Sequence, residues 1–299
     1  MSALEELTVS VIMPFAGEES FIGEAIDSIV HNTYCSELIV CVDTTQVDRN
    51  AAEAFLLTHK AHIESYSKKF TICFSQVPGP ASARNEAIRH ANSKLILPVD
   101  ADDRISPDYC AKIVESFRND KNDDLGIVYG PAEKFGLNSG TWNLPEFSLS
   151  QIVLENCIYA TAGFRKSDWL KCGGYSESLI YGQEDWDFWL AILSLGRSVK
   201  YINGETVFFY RIRTGSRSAL FSQMWEQVIW TYDEVCRRNE KLMASEIKSI
   251  YHKRIVLELE NTTLSRASKN VLIAIVRKYT FFNFLDRTKV GTLLRKMWT

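Results

Sequence analysis

Several features that would place this chain in other classes of protein are missing from its sequence. Its seven cysteines are an odd number and include no Cys-x-x-Cys pair, so we expect neither a disulfide framework nor a structural zinc site. No stretch reaches the roughly 18–20 apolar residues that a membrane-spanning helix requires. The first residues carry acids where a signal peptide needs bases, and we therefore expect a cytoplasmic protein.

A strong net charge is also missing. The formal charge is -3 at pH 7, which gives no indication of nucleic-acid binding. The balance is uneven, because residues 262–299 contain eight lysines or arginines and one acid, Asp286. Apolar residues alternate with these bases, a pattern typical of amphipathic helices on anionic membranes. We expect this segment to contact the inner face of the cell membrane as a peripheral anchor. The alternative is packing on the rest of the chain or on a second subunit of a homo-oligomer.

Strands and helices alternate through the first half of the chain. Apolar, β-branched runs predict buried strands at 8–14, 38–42, 70–77 and 95–99. Helical patterns lie between and after them, at 20–32 (capped by Ser20), 48–59, 81–91, 107–117 and 184–195. This order predicts an α/β fold with an open, mostly parallel central sheet. Ligands bind such sheets at the carboxyl ends of the strands, where this chain has Pro14, Asp43, Pro78 and Asp100.

The second half is organised differently. Residues 130–220 are irregular and rich in tryptophan, glycine and tyrosine, and only helical patterns follow them. We therefore predict one domain over residues 1–220 and a helical, basic C-terminal extension over residues 221–299.

The segment LILPVDADD, which begins at Leu95, carries the sharpest chemical signal. A buried strand delivers Asp100, Asp102 and Asp103 into one short loop. Carboxylates two residues apart suit a hard divalent cation such as Mg2+ or Mn2+, so we predict a metal site at Asp100 and Asp102. In isolation, a helix cap or a solvated loop would explain the same acids.

A second signal lies upstream, where PGPASARNEA begins at Pro78. Small residues open a helix whose N-terminus can approach an anion closely. Arg84 lies in the first turn of this helix, where it can face a phosphate or the acidic loop. Without the neighbouring segments, Arg84 would be interpreted as a surface arginine.

An acidic cluster with tryptophans, GQEDWDFW, begins at position 182. Glu184, Asp185 and Asp187 open a predicted helix, where the helix dipole favours carboxylates whatever their role. The interleaved Trp186 and Trp189 predict a cleft wall instead. A carboxylate in such a wall can take a proton from an incoming hydroxyl, and the aromatic faces can stack on a sugar.

Taken in order, these segments resemble the family-2 glycosyltransferases of the bacterial surface-polysaccharide type, which have the GT-A fold. The resemblance covers about residues 8–218 and depends on the order of its motifs, since any one of them is weak. The matching segments are the strands ending at Pro14 and Asp43, Ala83-Arg84-Asn85, the loop from Asp100 to Asp103, Phe164-Arg165, the loop from Gly173 to Glu177, Glu184-Asp185, and Tyr210 to Ser216.

The resemblance implies an inverting transferase that moves a sugar from a nucleotide-diphosphate donor, with UDP favoured, to a hydroxyl of a glycan or lipid-linked acceptor. Asp185 would be the general base and Glu184 would orient the acceptor. Mn2+ or Mg2+ at Asp100 and Asp102 would neutralise the leaving diphosphate. The donor-binding residues would be Pro14, Asp43, Arg84, Asp100 and Asp102, and those on the acceptor side Arg165, Trp186 and Trp189.

The chain departs from the family pattern in three places. Position 42 is valine where a second acid is common, and Phe15-Ala16-Gly17 replaces the usual Tyr-Asn. The closing segment has Arg213 where the family often has a histidine. An arginine cannot ligate a metal but pairs bidentately with phosphate, so we expect Arg213 to contact the donor diphosphate.

Three other functions compete with this interpretation. A phosphotransferase or phosphatase would use an Asp-x-Asp nucleophile, with a nearby Thr or Ser and a later Lys that this motif order does not match. A metal-dependent nucleotidyltransferase needs a glycine-rich triphosphate loop, for which the segment AGEE at position 16 is a poor match. A nucleotide-sugar-binding module without transferase activity would keep the fold, although the full set of Asp100, Asp102 and Asp185 argues against it.

Overall fold

The computed structural model of the chain describes residues 7–215 and 225–246. The basic segment 262–299, with its predicted membrane or subunit contacts, lies outside the described residues. Contacts divide the chain into two compact units, one of Met1–Phe147 and Glu155–Asn239 and one of Ser148–Leu154 and Glu240–Thr299. The predicted domain boundary after residue 220 stays a prediction.

Two sheets are built from eleven strands of the described residues. In chain order these are β1 Val9–Phe15, β2 Cys35–Asp43, β3 Lys69–Ser75, β4 Leu95–Pro98, β5 Arg104–Ile105, β6 Leu125–Tyr129, β7 Ala132–Gly136, β8 Gly140–Thr141, β9 Gly163–Arg165, β10 Ser198–Tyr201 and β11 Phe208–Ile212. The large sheet has the order β10-β6-β9-β4-β1-β2-β3, and the small sheet the order β5-β11-β7-β8.

The large sheet is parallel except at β9, which runs antiparallel to both β4 and β6. Its central strands are continuous apolar runs because both faces of a parallel sheet are covered by other elements. Val11, Ile39 and Leu97 are fully buried there. The prediction of an α/β fold with a mostly parallel central sheet is confirmed.

Helices make up the rest of the regular structure in the described residues. They are α1 Ile22–Val30, α2 Arg49–Leu57, α3 Lys60–Ser65, α4 Pro80–His90, α5 Tyr109–Arg118, α6 Leu149–Ile152, α7 Lys166–Cys172, α8 Glu184–Leu193 and α9 Trp225–Arg238. None of the helices in the described ranges combines the length and the apolar character that crossing a bilayer demands.

Two details of the helix prediction are wrong. The single helix expected at 48–59 is α2, which ends at Leu57 and is followed directly by α3. Ser20 does not cap α1, because Phe21 occupies the N-cap position and no side chain caps the helix. The amides of Phe21 and Ile22 bind the Glu18 carbonyl oxygen instead, so backbone contacts close the first turn.

The small sheet was not predicted from the irregular middle of the chain. Its strands are two to five residues long, too short for a clear period in side-chain polarity. The pairing also joins distant residues, since Phe208 of β11 lies opposite Ala132 of β7. The small sheet supplies one wall of the cavity described next.

Candidate active site

A cavity of about 1040 Å³ opens at the carboxyl ends of β1, β2 and β4. The parallel sheet brings these ends to one edge, and the first turn of α8 lines the same cavity. Eight of the predicted site residues line this cavity, namely Pro14, Asp43, Arg84, Asp100, Asp102, Glu184, Asp185 and Arg213.

The three residues predicted for the acceptor side lie elsewhere, and that prediction is wrong. Trp186 is 1% exposed and Trp189 is fully buried, with its indole nitrogen donating to the Ile158 carbonyl oxygen at 3.2 Å. Helix α8 is buried around most of its circumference, so only its first turn reaches the cavity. Arg165 donates to Asp120 Oδ2 at 2.9 Å, where it stabilises the start of β6.

Asp185 presents a carboxylate to the cavity from the first turn of α8. Its Oδ2 accepts from Asn156 Nδ2 at 3.2 Å, and its Oδ1 accepts from the Trp186 amide at 2.8 Å. Burial and the neighbouring Glu184 carboxylate raise the pKa of Asp185 to about 6. Such a carboxylate is ionised at neutral pH and still binds a proton more strongly than an ordinary aspartate, which suits a general base.

The turn before α8 is held in an uncommon backbone conformation. Gln183 has φ 62° and ψ 18°, in the left-handed region, and Gly182 precedes it with φ 146°. A non-glycine residue in this region costs about 1–2 kcal/mol, so the surrounding contacts must hold it there. This turn directs Glu184 and Asp185 into the cavity.

Arg84 joins the two acidic motifs. Its Nη2 donates to Asp100 Oδ1 at 2.7 Å and its Nη1 to Glu184 Oε1 at 2.9 Å, while its side chain is 2% exposed. Burial lowers the pKa of Arg84, but the two carboxylates outweigh burial and raise it above its usual value. The guanidinium therefore stays charged and links the strand-end loop to α8.

Asn85, the next residue, has a structural role. Its side chain binds the amide and the carbonyl of Tyr175, and also the Trp169 indole nitrogen at 2.9 Å. A Cβ added to Gly174 would lie 2.7 Å from Asn85 Oδ1, so only glycine allows this approach. The loop from Gly173 to Glu177 is thereby attached to α4.

Asp43 and Asp103 use their carboxylates partly for backbone contacts. Asp43 Oδ2 accepts from the Gly79 amide at 2.8 Å, which connects the end of β2 to the start of α4. Asp103 Oδ1 accepts from the Arg211 amide at 2.8 Å. Burial and the nearby carboxylates of Asp102 and Asp100 raise the pKa of Asp103 well above its usual value. Asp103 therefore anchors β11 to the acidic loop.

Asp100 and Asp102 have the chemistry of a divalent-cation site. Burial and the charge of Asp100 raise the pKa of Asp102, and a cation between the two carboxylates would relieve that repulsion. Within residues 7–215 and 225–246 no group of three or more potential ligands converges on one point. An ion held by these two carboxylates would therefore take its other ligands from a diphosphate and water, as Mg2+ commonly does. The residues fit this arrangement.

Arg213 lies beside the same loop. Its Nε donates to Asp102 Oδ2 at 2.5 Å, and its Nη2 is 3.8 Å from Glu18 Oε1. The predicted contact between Arg213 and the donor diphosphate stays a prediction, but the guanidinium lines the cavity next to the predicted metal ligands.

Comparison with known families agrees with this geometry. The model of glycosyl transferase family 2 matches residues 10–173, which include all of β1 except Val9, the Arg84 segment and the acidic loop. The chain belongs to glycosyl transferase family 2. The resemblance inferred from the motif order is confirmed.

Two curated relatives show how far the likeness extends. This family-2 chain is 26% identical over 194 residues to an uncharacterized glycosyltransferase of Haemophilus influenzae, covering 62% of each protein. It is 28% identical over 222 residues to the minor teichoic acid biosynthesis protein GgaB of Bacillus subtilis, covering 71% of this chain and 24% of GgaB. The chain thus spans less than two thirds of the length of either relative.

A solved structure confirms the fold. TarS 1–349 of S. aureus, in complex with UDP-GlcNAc, superposes with a TM-score of 0.60 at 19% identity, covering 93% of this chain and 74% of TarS. The family-2 chain therefore has the GT-A fold, as the sequence predicted.

Several cavity residues were missed by the sequence analysis. The wall opposite the strand ends is aromatic, and rings of Trp142 and Tyr210 lie 4.6 Å apart by their centroids. Asn156, which contacts Asp185, lies in a loop without a motif. An unusual density of tryptophan and tyrosine in residues 130–220 was the only sequence signal for this wall. Among those missed are Lys134, Trp142, Asn156 and Tyr159, whereas Tyr210 had been noted only as the start of the closing segment.

Proposed function

We propose that the chain is an inverting glycosyltransferase that moves a sugar from a nucleoside diphosphate, UDP by preference, to an acceptor hydroxyl in polysaccharide or glycolipid synthesis. The observation that carries this proposal is Asp185, a carboxylate with a pKa raised to about 6 that faces the same cavity as Asp100 and Asp102. Family membership and the teichoic-acid role of GgaB support the substrate class.

The donor would occupy the cavity along the strand ends. Pro14 and Asp43 would lie against the nucleobase, and Arg84 would hold the nucleotide and the acidic loop in place. Asp100 would contact the ribose, and Arg213 would meet the diphosphate. A Mn2+ or Mg2+ ion held by Asp100 and Asp102 would neutralise the charge of the departing diphosphate.

Asp185 would carry the proton transfer. Its carboxylate takes the proton from the acceptor hydroxyl, and the acceptor oxygen bonds to the anomeric carbon while the bond to the diphosphate oxygen breaks. A single displacement of this kind inverts the anomeric configuration. Asn156 and the Trp186 amide hold the carboxylate in position. Glu184 acts through Arg84 and is a positioning residue.

A thermal-shift screen tests the donor half of the proposal. UDP, GDP, dTDP and CMP are each added with and without Mn2+. A ligand at about 100 times its dissociation constant stabilises the folded protein by about 2.7 kcal/mol, which raises Tm by roughly 5–10 °C for a chain of this size. We expect one nucleoside diphosphate to reach this shift in the presence of the metal. If none of the four shifts Tm, the donor site proposed here does not exist.

The membrane contact of residues 262–299 is a separate proposal. The segment has eight basic residues and one acid, so vesicles containing anionic lipid should bind the full chain and neutral vesicles should not. Deleting 262–299 should abolish co-sedimentation. Equal binding to neutral vesicles, or binding that survives the deletion, would contradict a peripheral contact through this segment.

A further inference from the structure

The cationic side chains of the cavity are not equivalent. Those that line it are Arg84, Lys134, Arg211 and Arg213. Each of the three arginines donates to a carboxylate at 2.9 Å or less. Lys134 has no ion pair with any residue of the described ranges, and its ammonium group lies over the ring of Trp142. Among the described residues, Lys134 is therefore the cation of the cavity that no carboxylate neutralises, which leaves it able to bind an anionic ligand.

Sheet register places this lysine on the aromatic wall. Lys134 of β7 lies opposite Tyr210 of parallel β11, so the two side chains lie on one face of the small sheet. The Trp142 ring centroid is 4.6 Å from that of Tyr210, and Lys134 Nζ is 5.8 Å from the Trp142 centroid. We call Trp142 and Tyr210 the aromatic platform.

On the opposite face of the small sheet, the residue next to Lys134 is already covered. Phe135, the neighbour of Lys134, is covered by the guanidinium groups of Arg104 at 4.0 Å and Arg211 at 4.3 Å. Successive residues of a strand point to opposite faces, so Lys134 is turned away from this stack and toward the cavity. A charged group on its open side would meet the ammonium next to two aromatic rings.

Lys134 lies apart from the groups that would meet the donor phosphates. In the proposed donor site the phosphates would face Asp102 and Arg213, which lies beyond the end of β11. Lys134 is level with Tyr210, three residues before Arg213 in the chain. The platform also belongs to the small sheet and not to the strand ends of the large one. These positions favour the acceptor over the donor as the ligand of Lys134.

We propose that Lys134 and the aromatic platform form an acceptor subsite for a phosphate-bearing sugar or polyol. An aromatic face stacks on an apolar sugar face, and a lysine ammonium binds phosphate as a compact point charge. This inference rests on the proposed transferase function and names the chemical class of its acceptor. The phosphate belongs either to a diphosphate-linked lipid carrier or to a poly(polyol phosphate) chain, two sources of one chemistry.

Calorimetric titration of the full chain, saturated with UDP and Mn2+, tests the subsite. The probes are N-acetylglucosaminyl diphosphate with a short alkyl chain, oligo(glycerol phosphate), and a neutral alkyl N-acetylglucosaminide. We expect a phosphorylated probe to bind about tenfold more tightly than the neutral one. Lys134→Met should remove this difference and Lys134→Arg should retain most of it. The phosphorylated probe that binds more tightly identifies the source.

The control is Lys200→Met, which removes an exposed lysine of β10 outside the cavity and should change nothing. Equal affinity for neutral and phosphorylated probes, or no binding of any probe, would overturn the proposal. So would a loss of UDP affinity in Lys134→Met, because the lysine would then serve the donor. UDP binding by the wild type distinguishes a failure of the proposed transferase function from a failure of the subsite. If the wild type does not bind UDP, the transferase function is contradicted. If it binds UDP but does not prefer phosphorylated probes, only the subsite is contradicted.

Discussion

The two walls of the cavity differ in how their residues are brought together. One wall, which we propose for the donor and call the donor wall, is formed by Pro14, Asp43, Asp100 and Asp102 at the ends of long apolar strands of the large sheet. The other wall, which we propose for the acceptor and call the acceptor wall, is formed by residues of short strands and loops around the small sheet, namely Lys134, Trp142, Asn156, Tyr159 and Tyr210. Because parallel strands end at one edge, the first wall follows from the order of elements, whereas the second depends on pairings between distant residues.

The largest effect is expected at the point where the two walls meet, with Asp185→Asn. Removing the general base should lower kcat by about 10²–10⁴, while UDP affinity stays unchanged. Steady-state kinetics with the donor identified by thermal shift checks the rate. Asp233→Asn is the matched control, because this exposed aspartate of α9 lies outside the cavity.

Loss of rate in Asp185→Asn should not come from unfolding. The pKa of Asp185 is higher in the folded protein than its ordinary value, so the folded state disfavours the ionised form. Protonated Asp185 therefore contributes to stability at low pH, and this contribution is lost as the pH rises from the ordinary aspartate pKa to about 6. At pH 8 the neutral asparagine should be at least as stable as wild type. A clear drop in Tm would contradict the raised pKa.

The second largest effect, a loss of stability, is expected for Arg84→Met, because Arg84 links Asp100 of the acidic loop to Glu184 of α8. This change leaves Asp100 and Glu184 without their buried cation and should lower the free energy of unfolding by about 3 kcal/mol, or Tm by roughly 6–12 °C. Arg89→Met is the control on the same helix, since Arg89 is 54% exposed and pairs with Glu86 at the surface. Its cost should stay below about 0.5 kcal/mol. Equal shifts in Tm for both variants would show that Arg84 is not a structural link.

The third effect is in the pH dependence of kcat/KM. Asp185 must be ionised to accept a proton, so the rate should fall about tenfold per pH unit below about 6. Asn156→Ala removes a donor to the ionised carboxylate and should therefore raise the pH below which kcat/KM falls by about 0.5–1 unit. If kcat/KM of the wild type falls only below about pH 4, burial does not raise the pKa of Asp185.

The smallest effect is expected from two tryptophan substitutions, one in the buried part of α8 and one on the acceptor wall. Trp189→Phe loses the hydrogen bond to Ile158 and some packing, and should cost about 1–2 kcal/mol of stability. KM for the acceptor should not change, because the ring does not reach the cavity. Trp142→Phe, on the acceptor wall, should change acceptor KM with little effect on Tm. If Trp189→Phe changed the acceptor KM and Trp142→Phe did not, Trp189 would belong to the acceptor side, as the sequence predicted.

These differences show what the sequence could predict. Asp100, Asp102 and Arg84 could be placed at the cavity from the sequence because strong strand patterns and small residues frame them, whereas their roles toward the donor stay predictions. Trp186 and Trp189 were misassigned because composition cannot distinguish a cleft wall from the core in a helix buried on most sides. Arg165 was misassigned because its partner Asp120 lies 45 positions away. Local patterns thus locate strand ends and helix starts, but not the long-range contacts that decide which side chains reach the cavity.

One comparison of two matched variants tests most directly whether the donor site at the strand ends is separate from the catalytic base on α8. Asp102→Asn and Asp185→Asn each neutralise one carboxylate without changing its shape. Calorimetric titration of UDP with Mn2+ into wild type and both variants measures the donor site alone. We predict that Asp102→Asn weakens UDP binding by tenfold or more and that Asp185→Asn binds UDP like the wild type. Equal weakening in both variants, or unchanged binding in Asp102→Asn, would contradict a donor wall at the strand ends with a separate catalytic base on α8.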